Sequence, residues 1–304
     1  MENYLISIAT FAGIYALLTL GLNIIWGMTG LINLGMAGFF AFGAYASALV
    51  TLSGRLPIVA GVLVAIVATA AAGALLTLIT MRLRGDYLAI VTLGFSELIR
   101  LIASNEIWLT KGTDGLSGIP GPWRGELTPA QFNLLFCAIV LVVVLAVFLF
   151  AERLRHSPYG RVLRAIRDDE LATAVAGKST RVIKIQAFAI GAGILGLAGA
   201  LYGHYTSYIA PDIFRPLITI YIFLALTAGG TGNNLGAVMG AFLVMAVLEG
   251  TRFLEGIIPG LEGVQYAALR EIAIGVTLIV VMHIRPTGLI PERQPVLDLN
   301  VRTP

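Results

Sequence analysis

Apolar residues in this chain fall into long blocks separated by short polar breaks. The blocks run Tyr4 to Trp26, Leu31 to Leu52, Ile58 to Met81, Tyr87 to Ser104, Phe132 to Ala151, Ile185 to Ile209, Leu217 to Leu226, Leu235 to Gly250 and Ala267 to His283. A helix needs about 20 mostly apolar residues to cross the hydrocarbon core of a bilayer. Eight blocks approach that length, and the ninth, Leu217 to Leu226, rises only about 15 Å as a helix. The pattern predicts an all-α polytopic membrane protein of about 8 to 9 transmembrane helices, with the short block forming a broken or re-entrant piece. Residues 1–304 read as a single transmembrane domain.

Composition agrees: 58% of residues are hydrophobic, 12% are charged, and mean hydropathy is +0.89, far from the usage of soluble domains. The basic pI near 9.1 comes from short loops and not from a basic stripe with interleaved aromatics, so no nucleic-acid partner is expected. Cys137 is the single cysteine, which leaves disulfides, thiol catalysis and a cysteine metal site unsupported. The start, Met1-Glu2-Asn3-Tyr4, has no basic n-region, and its apolar run outlasts a signal peptide's core, so it reads as a retained first span.

Charge concentrates in one island, residues 152–184, which holds eight of the 20 Lys and Arg and four of the 17 Asp and Glu. Its surplus of four positive charges exceeds the +3 of the whole chain. Placing this island in the cytoplasm puts Arg82 and Arg84 there too, and puts the loop from Ser104 to Pro129 and the N-terminus outside. The tail, 285–304, returns to the cytoplasm if the seventh and eighth blocks form an in-and-out pair. Gly191, Gly193, Gly196, Gly199 and Gly203 form a seam suited to close helix approach. A faint echo links Thr29-Gly30-Leu31-Ile32-Asn33-Leu34-Gly35 to Thr231-Gly232-Asn233-Asn234-Leu235-Gly236, as paired repeats with broken helices would produce.

Several motif matches fail on context. Gly191-Ala192-Gly193-Ile194-Leu195-Gly196 fits GxGxxG but lies inside a span with no strand before it. Gly177-Lys178-Ser179-Thr180 imitates the end of a phosphate loop, yet Ala172 occupies the place of its first glycine. His156, His204 and His283 show no metal-ligand spacing, and no nucleophile constellation is present, so neither catalysis nor a metal centre is expected. Within the island, Ser157 is placed to cap a helix with Pro158 at its first position, and Gly177 to stop it. Val162, Ala165, Ile166 and Ala172 or Ala176 would form its apolar face, with Arg161, Arg164 and Arg167 on the other side. The switch to Asp168, Asp169 and Glu170 favours docking in a protein groove over lying on anionic lipid.

The run Ser157 to Glu170, with Ala172, Ala174 and Gly177, resembles the cytoplasmic coupling segment of branched-chain amino acid ABC transporter permeases of the LivM type. The resemblance extends through Arg84-Gly85-Asp86-Tyr87-Leu88-Ala89-Ile90-Val91-Thr92-Leu93, Glu97 and Arg100, Gly112 to Pro120, and Gly229-Gly230-Thr231-Gly232 with the Gly236 to Gly240 stretch. The general permease pattern of Glu-Ala-Ala, three residues and Gly is kept only loosely, at Glu170, Ala172 and Gly177. What this implies is an ABC importer permease bundle in a bacterial or archaeal cytoplasmic membrane. Its partners would be a second permease of the LivH type, two cytoplasmic ATPase subunits that bind ATP and Mg, a periplasmic or lipid-anchored binding protein, and the surrounding lipid. No cofactor is implied in this chain.

Gly160, Arg161, Arg164, Asp168, Asp169, Glu170 and Gly177 are then the coupling candidates, and Thr113, Asp114 and Ser117 those of the external loop. Glu97 and Arg100, at i and i+3 within a span, are candidates for a packing pair or for the solute path. Asn33, Asn233 and Asn234 beside glycines are candidates for capping broken helices or lining the path. The same architecture would serve urea or short amides. An ion-coupled carrier would need further intramembrane acids or Na⁺ sites, and Glu97 is the only deep acid this reading finds.

Overall fold

The computed structural model describes residues 2–53, 56–80, 83, 85–250, 263–285 and 287–292. Arg82, Arg84 and the tail beyond 292 lie outside the described residues. Among the described residues, nine apolar helices occupy the nine blocks: α1 (Glu2–Leu22), α2 (Met36–Ser53), α3 (Ile58–Thr80), α4 (Asp86–Asn105), α6 (Pro129–His156), α9 (Thr180–Thr206), α10 (Pro216–Gly229), α11 (Asn234–Gly250) and α12 (Gly263–Ile284). Between them lie three short helices, α5 (Ile107–Thr110), α7 (Pro158–Asp168) and α8 (Glu170–Val175), and two strands, β1 (Leu116–Ser117) and β2 (Tyr208–Ile209), paired antiparallel. α1 ends in a wider π turn, Asn23–Gly27. Six of the helices are long and apolar enough to cross a membrane, while α10 and α11 are shorter.

The blocks become helices because a backbone without water must satisfy its own polar groups, and a helix does so within one segment. Their flanks supply stops and starts. α6 opens with a capping box in which the Thr128 hydroxyl accepts from Gln131 N while the Gln131 side chain accepts from Thr128 N, satisfying two donors that the helix cannot.

α9 is the hub, packed against α1, α2 and α3. Three of the five seam glycines allow this. A side chain at Gly191 would strike Ile25, at Gly196 the Thr69 side chain, and at Gly199 the Phe40 carbonyl. Gly193 and Gly203 meet neighbours only at ordinary contact distance. An aromatic cluster seals the bundle above them: Phe214 packs edge-on to Phe40 at 5.1 Å and tilted against Tyr45 at 6.0 Å.

Two helices differ in length from their blocks. The second apolar block starts at Leu31, yet α2 begins only at Met36, because Asn33 Oδ1 takes the Gly35 N–H at 2.8 Å and Thr92 Oγ1 takes the Leu34 N–H at 2.9 Å. These bonds hold residues 31–35 out of the helix. α10 extends its ten-residue block to 14 residues, about 21 Å of rise, and a 3-10 turn with Pro211 and Phe214 buried leads into it. α10 and α11 pack against each other through Gly229, Gly236 and Gly240, forming the antiparallel pair that the alternation of loops requires.

Candidate functional site: the loop end of the bundle

The charged island is shorter as a loop than its charges suggest, since α6 continues to His156 and α9 begins at Thr180. Between them, Ser157 Oγ accepts from Gly160 N at 3.2 Å, with Pro158 in the first turn of α7. The single helix expected up to Gly177 is broken. Asp169 takes an extended conformation, and its carboxylate accepts from Ala172 N at 3.0 Å, capping α8. Gly177 follows the end of α8 with φ +79°, a conformation that costs glycine little.

The faces also differ from the expected ones. Gly160, Leu163 and Ile166 are the buried side of α7. Arg164 and Arg167, expected on the opposite side, turn toward the bundle and keep only about a quarter of their side-chain surface exposed. Ala165, Ala172 and Ala176 are exposed. Together with Val162 and the rim charges Arg161 and Asp168 they line an open groove of about 580 Å³. An amphipathic pattern cannot say which of two apolar flanks meets its own chain. Here the larger residues, Leu163 and Ile166, are used internally, and the small ones face out.

The acidic triplet divides into three roles. Glu170 binds Lys184 Nζ through both oxygens at 2.9 Å, Asp169 caps α8, and Asp168 stands on the surface beside Arg167 at 3.3 Å. Tyr159 donates its hydroxyl to the Ile183 carbonyl at 3.2 Å, and burial pushes its phenol up to about 12.

Beneath the island, Asn23 in the π turn is fully buried. Its carbonyl oxygen accepts from Gly232 N at 2.9 Å, and its amide donates to Asn234 Oδ1 at 2.9 Å. Asn234 in turn donates to Glu152 at 2.8 Å. Asn233 caps α11 by accepting from Leu235 N and Gly236 N, while Asn33 accepts from Gly35 N in the turn just before α2. Both echoing segments thus place an asparagine side chain on the backbone just before or at a helix start. Asn23 and Glu152 were not among the sequence candidates, because a polar residue at the end of an apolar block looks like a boundary.

Within the bundle, Glu97 Oε2 accepts from Arg100 Nε at 3.0 Å and Nη2 at 2.8 Å. The pair lies on the flank of α4, with about a third of the Glu97 side chain and a quarter of the Arg100 side chain exposed in this chain. Beside it, Thr92, Ser96 and Asn33 are buried, and Ala37 N donates to Thr219 Oγ1 at 3.2 Å. Neither the Asn33 amide nitrogen nor the Ser96 hydroxyl has a hydrogen-bond partner among the described residues. Glu97 is not alone as an acid on an apolar helix: Glu249 on α11 accepts from Tyr4 Oη at 2.8 Å, and Glu271 on α12 lines an apolar groove with Leu217 and Ile274.

At the opposite end, Thr113 and Asp114 form a 3-10 turn and Ser117 lies in β1, opposite Tyr208. Gly115, at φ +72°, sits against the Ile209 carbonyl, where any side chain would collide. The Arg124 guanidinium reaches the carbonyls of His204 and Tyr205 at the C-terminus of α9 and lies 4.3 Å over the Phe132 ring. A cation there complements the helix dipole, while burial lowers its pKa from the ordinary arginine value. His204, buried, bridges Ser47 Oγ at 2.8 Å and the Pro120 carbonyl at 2.6 Å, pinning the loop to the bundle.

No metal-ligating cluster is present among the described residues. Residues 4–282 match the family model described as branched-chain amino acid transport system, permease component. The chain is 34% identical to the high-affinity branched-chain amino acid transport system permease protein LivM of Escherichia coli, over 97% of this chain and 72% of that protein. It is 30% identical to the probable LivM protein of Methanocaldococcus jannaschii, over 92% of this chain and 91% of that protein. The permease protein LivH of Escherichia coli is 25% identical over 92% of each chain. No solved structure matches. Six helices among the described residues that are long and apolar enough to cross a membrane, and a family match over nearly the whole length, lead to one assignment: this chain is a multi-pass membrane protein of the branched-chain amino acid transport system permease family, of the LivM type.

Proposed function

We propose that this chain is one permease subunit of an ATP-driven importer of branched-chain or related amino acids in a cytoplasmic membrane. The α7–α8 groove carries this reading. It is a preformed surface of small apolar residues ringed by Arg161, Lys178, Asp168 and Asp169, on a segment whose other face is fixed to the bundle. A partner with its own charged ridge fits such a surface better than a lipid headgroup layer does, because both signs are present. The expected occupant is a cytoplasmic ATPase subunit that binds ATP and Mg, one beneath each of two permeases. Homology to both LivM and LivH proteins across more than nine-tenths of the chain supports a pair of related permeases. The β1–β2 end, on the opposite side, would receive a substrate-binding protein.

The test is co-purification. The tagged chain is expected to bring down an ATPase subunit, and Ala165→Arg, which fills the groove without touching Leu163 or Ile166, is expected to lose it while membrane accumulation stays unchanged. Retention of the ATPase by this variant would contradict the docking assignment.

A further inference from the structure

We propose that residues 287–292 are a strap that carries movement of α7 into the membrane bundle, with Glu292 as its positioning residue. This rests on the importer reading above and adds to it a route for the motion.

Beyond the end of α12, Gly288 N donates to the Arg285 carbonyl at 2.9 Å in a tight turn. The strap then lies along the end of α10: Leu289 N donates to the Ala228 carbonyl and Ile290 N to the Gly229 carbonyl, both at 2.9 Å. These are carbonyls that the end of a helix leaves without internal donors. The contact is close enough to require glycine on both sides. Gly288, at φ +82°, sits where a side chain would come within 2.5 Å of Gly230, and a side chain at Gly230 would strike the Ile290 carbonyl. Asn233 Nδ2 donates to the Pro291 carbonyl at 3.2 Å, so the strap grips the α10–α11 turn at two places.

Glu292 closes the connection. Its carboxylate lies 2.9 Å from Arg167 Nη1 and 3.9 Å from Arg164 Nη1, and only 14% of its side chain is exposed. The same Arg167 nitrogen donates to the Gly27 carbonyl at 2.6 Å, in the π turn that also holds Asn23. One guanidinium therefore joins α7, the end of α1 and the strap, while Asn23 joins the end of α1 to Gly232 and Asn234. An α7 helix that shifts when its partner changes state cannot move without displacing the α10–α11 turn, or without breaking a short, charge-assisted bond in a half-buried site. α10 and α11 would thus receive the motion at the end where they are joined.

The experiment uses the assembled complex with its ATPase and binding protein in proteoliposomes, reading uptake and ATP hydrolysis together. Glu292→Gln and Arg167→Gln are expected to keep the ATPase bound and hydrolysing. Uptake per ATP should fall about tenfold, the factor matching one lost charge-assisted hydrogen bond. The double variant should be no worse than Arg167→Gln, since both changes remove the Arg167–Glu292 bond, and Arg167→Lys should recover most of the ratio. Gly288→Val, which removes no charge but lifts the strap, should uncouple in the same way. A normal ratio of uptake to hydrolysis in assembled Glu292→Gln and Gly288→Val complexes would overturn the strap. A wild-type complex that binds no ATPase, or hydrolyses ATP without uptake, would overturn the importer reading instead.

Discussion

Asn23 shows how much a single residue at a helix end can organise. Fully buried, it satisfies a backbone N–H on one side and a side-chain amide on the other, and both would be stranded without it. Asn23→Leu should destabilise the protein by roughly 1 to 3 kcal/mol for each group left unpaired, seen as a lowered melting temperature in detergent and reduced membrane accumulation. Wild-type melting would show that water replaces the amide at no cost. The Glu97–Arg100 pair makes a different point. Its spacing was legible from the sequence, but not its place on an exposed flank of α4, because one chain's periodicity says nothing about what a second chain covers. Breaking a fully buried pair costs about 3 to 5 kcal/mol, whereas replacing both partners with apolar residues is nearly neutral; partial exposure makes the single loss smaller here. Glu97→Gln should therefore lower accumulation more than the double change Glu97→Leu with Arg100→Leu. A double variant that accumulates normally but fails in uptake would assign the pair to the solute path, and full activity in every variant would give it neither role.

At the scale of elements, the apolar helices among the described residues were legible because block length and hydrophobicity dominate in a bilayer. The breaks inside them were not. Leu31 to Gly35 is as apolar as the helix that follows, and only the long-range bond from Leu34 N to Thr92, joined to the local Asn33 turn, keeps it extended. The α7–α8 segment failed to read for a related reason. Its apolar spacing runs through Asp169 without interruption, and a helix cap recognised at Ser157 left no expectation of a second cap twelve residues later. Asp169→Ala should remove that cap at a cost of about 1 kcal/mol, enough to loosen α8 without unfolding the bundle. The expected result is wild-type accumulation with weakened ATPase capture, and capture at full strength would show that α8 is held by other contacts. Glu170 was grouped with the docking acids, but Lys184 already occupies it.

For the whole molecule, the alternation of the described apolar helices places the island, the α10–α11 turn and the strap at one end, and β1, β2 and Arg124 at the other. Cysteines introduced at Ser179 and, separately, at Ser117 should react with impermeant reagents from opposite sides of the membrane. Labelling from one side would refute this arrangement. Sequence alone reached the family through motifs in order along the chain. It did not reach the strap, because Glu292 sits in a polar tail whose partner, Arg167, is more than a hundred residues away. The central claim, that transport here draws on ATP from a partner, is tested most directly by amino-acid uptake into proteoliposomes holding the chain with its partner permease, ATPase and binding protein, compared under ATP and under imposed proton or Na⁺ gradients. The account predicts branched-chain amino acid uptake with ATP on the side of α7 and α8 and none driven by a gradient alone. Uptake that follows an ion gradient in the absence of ATP would contradict it.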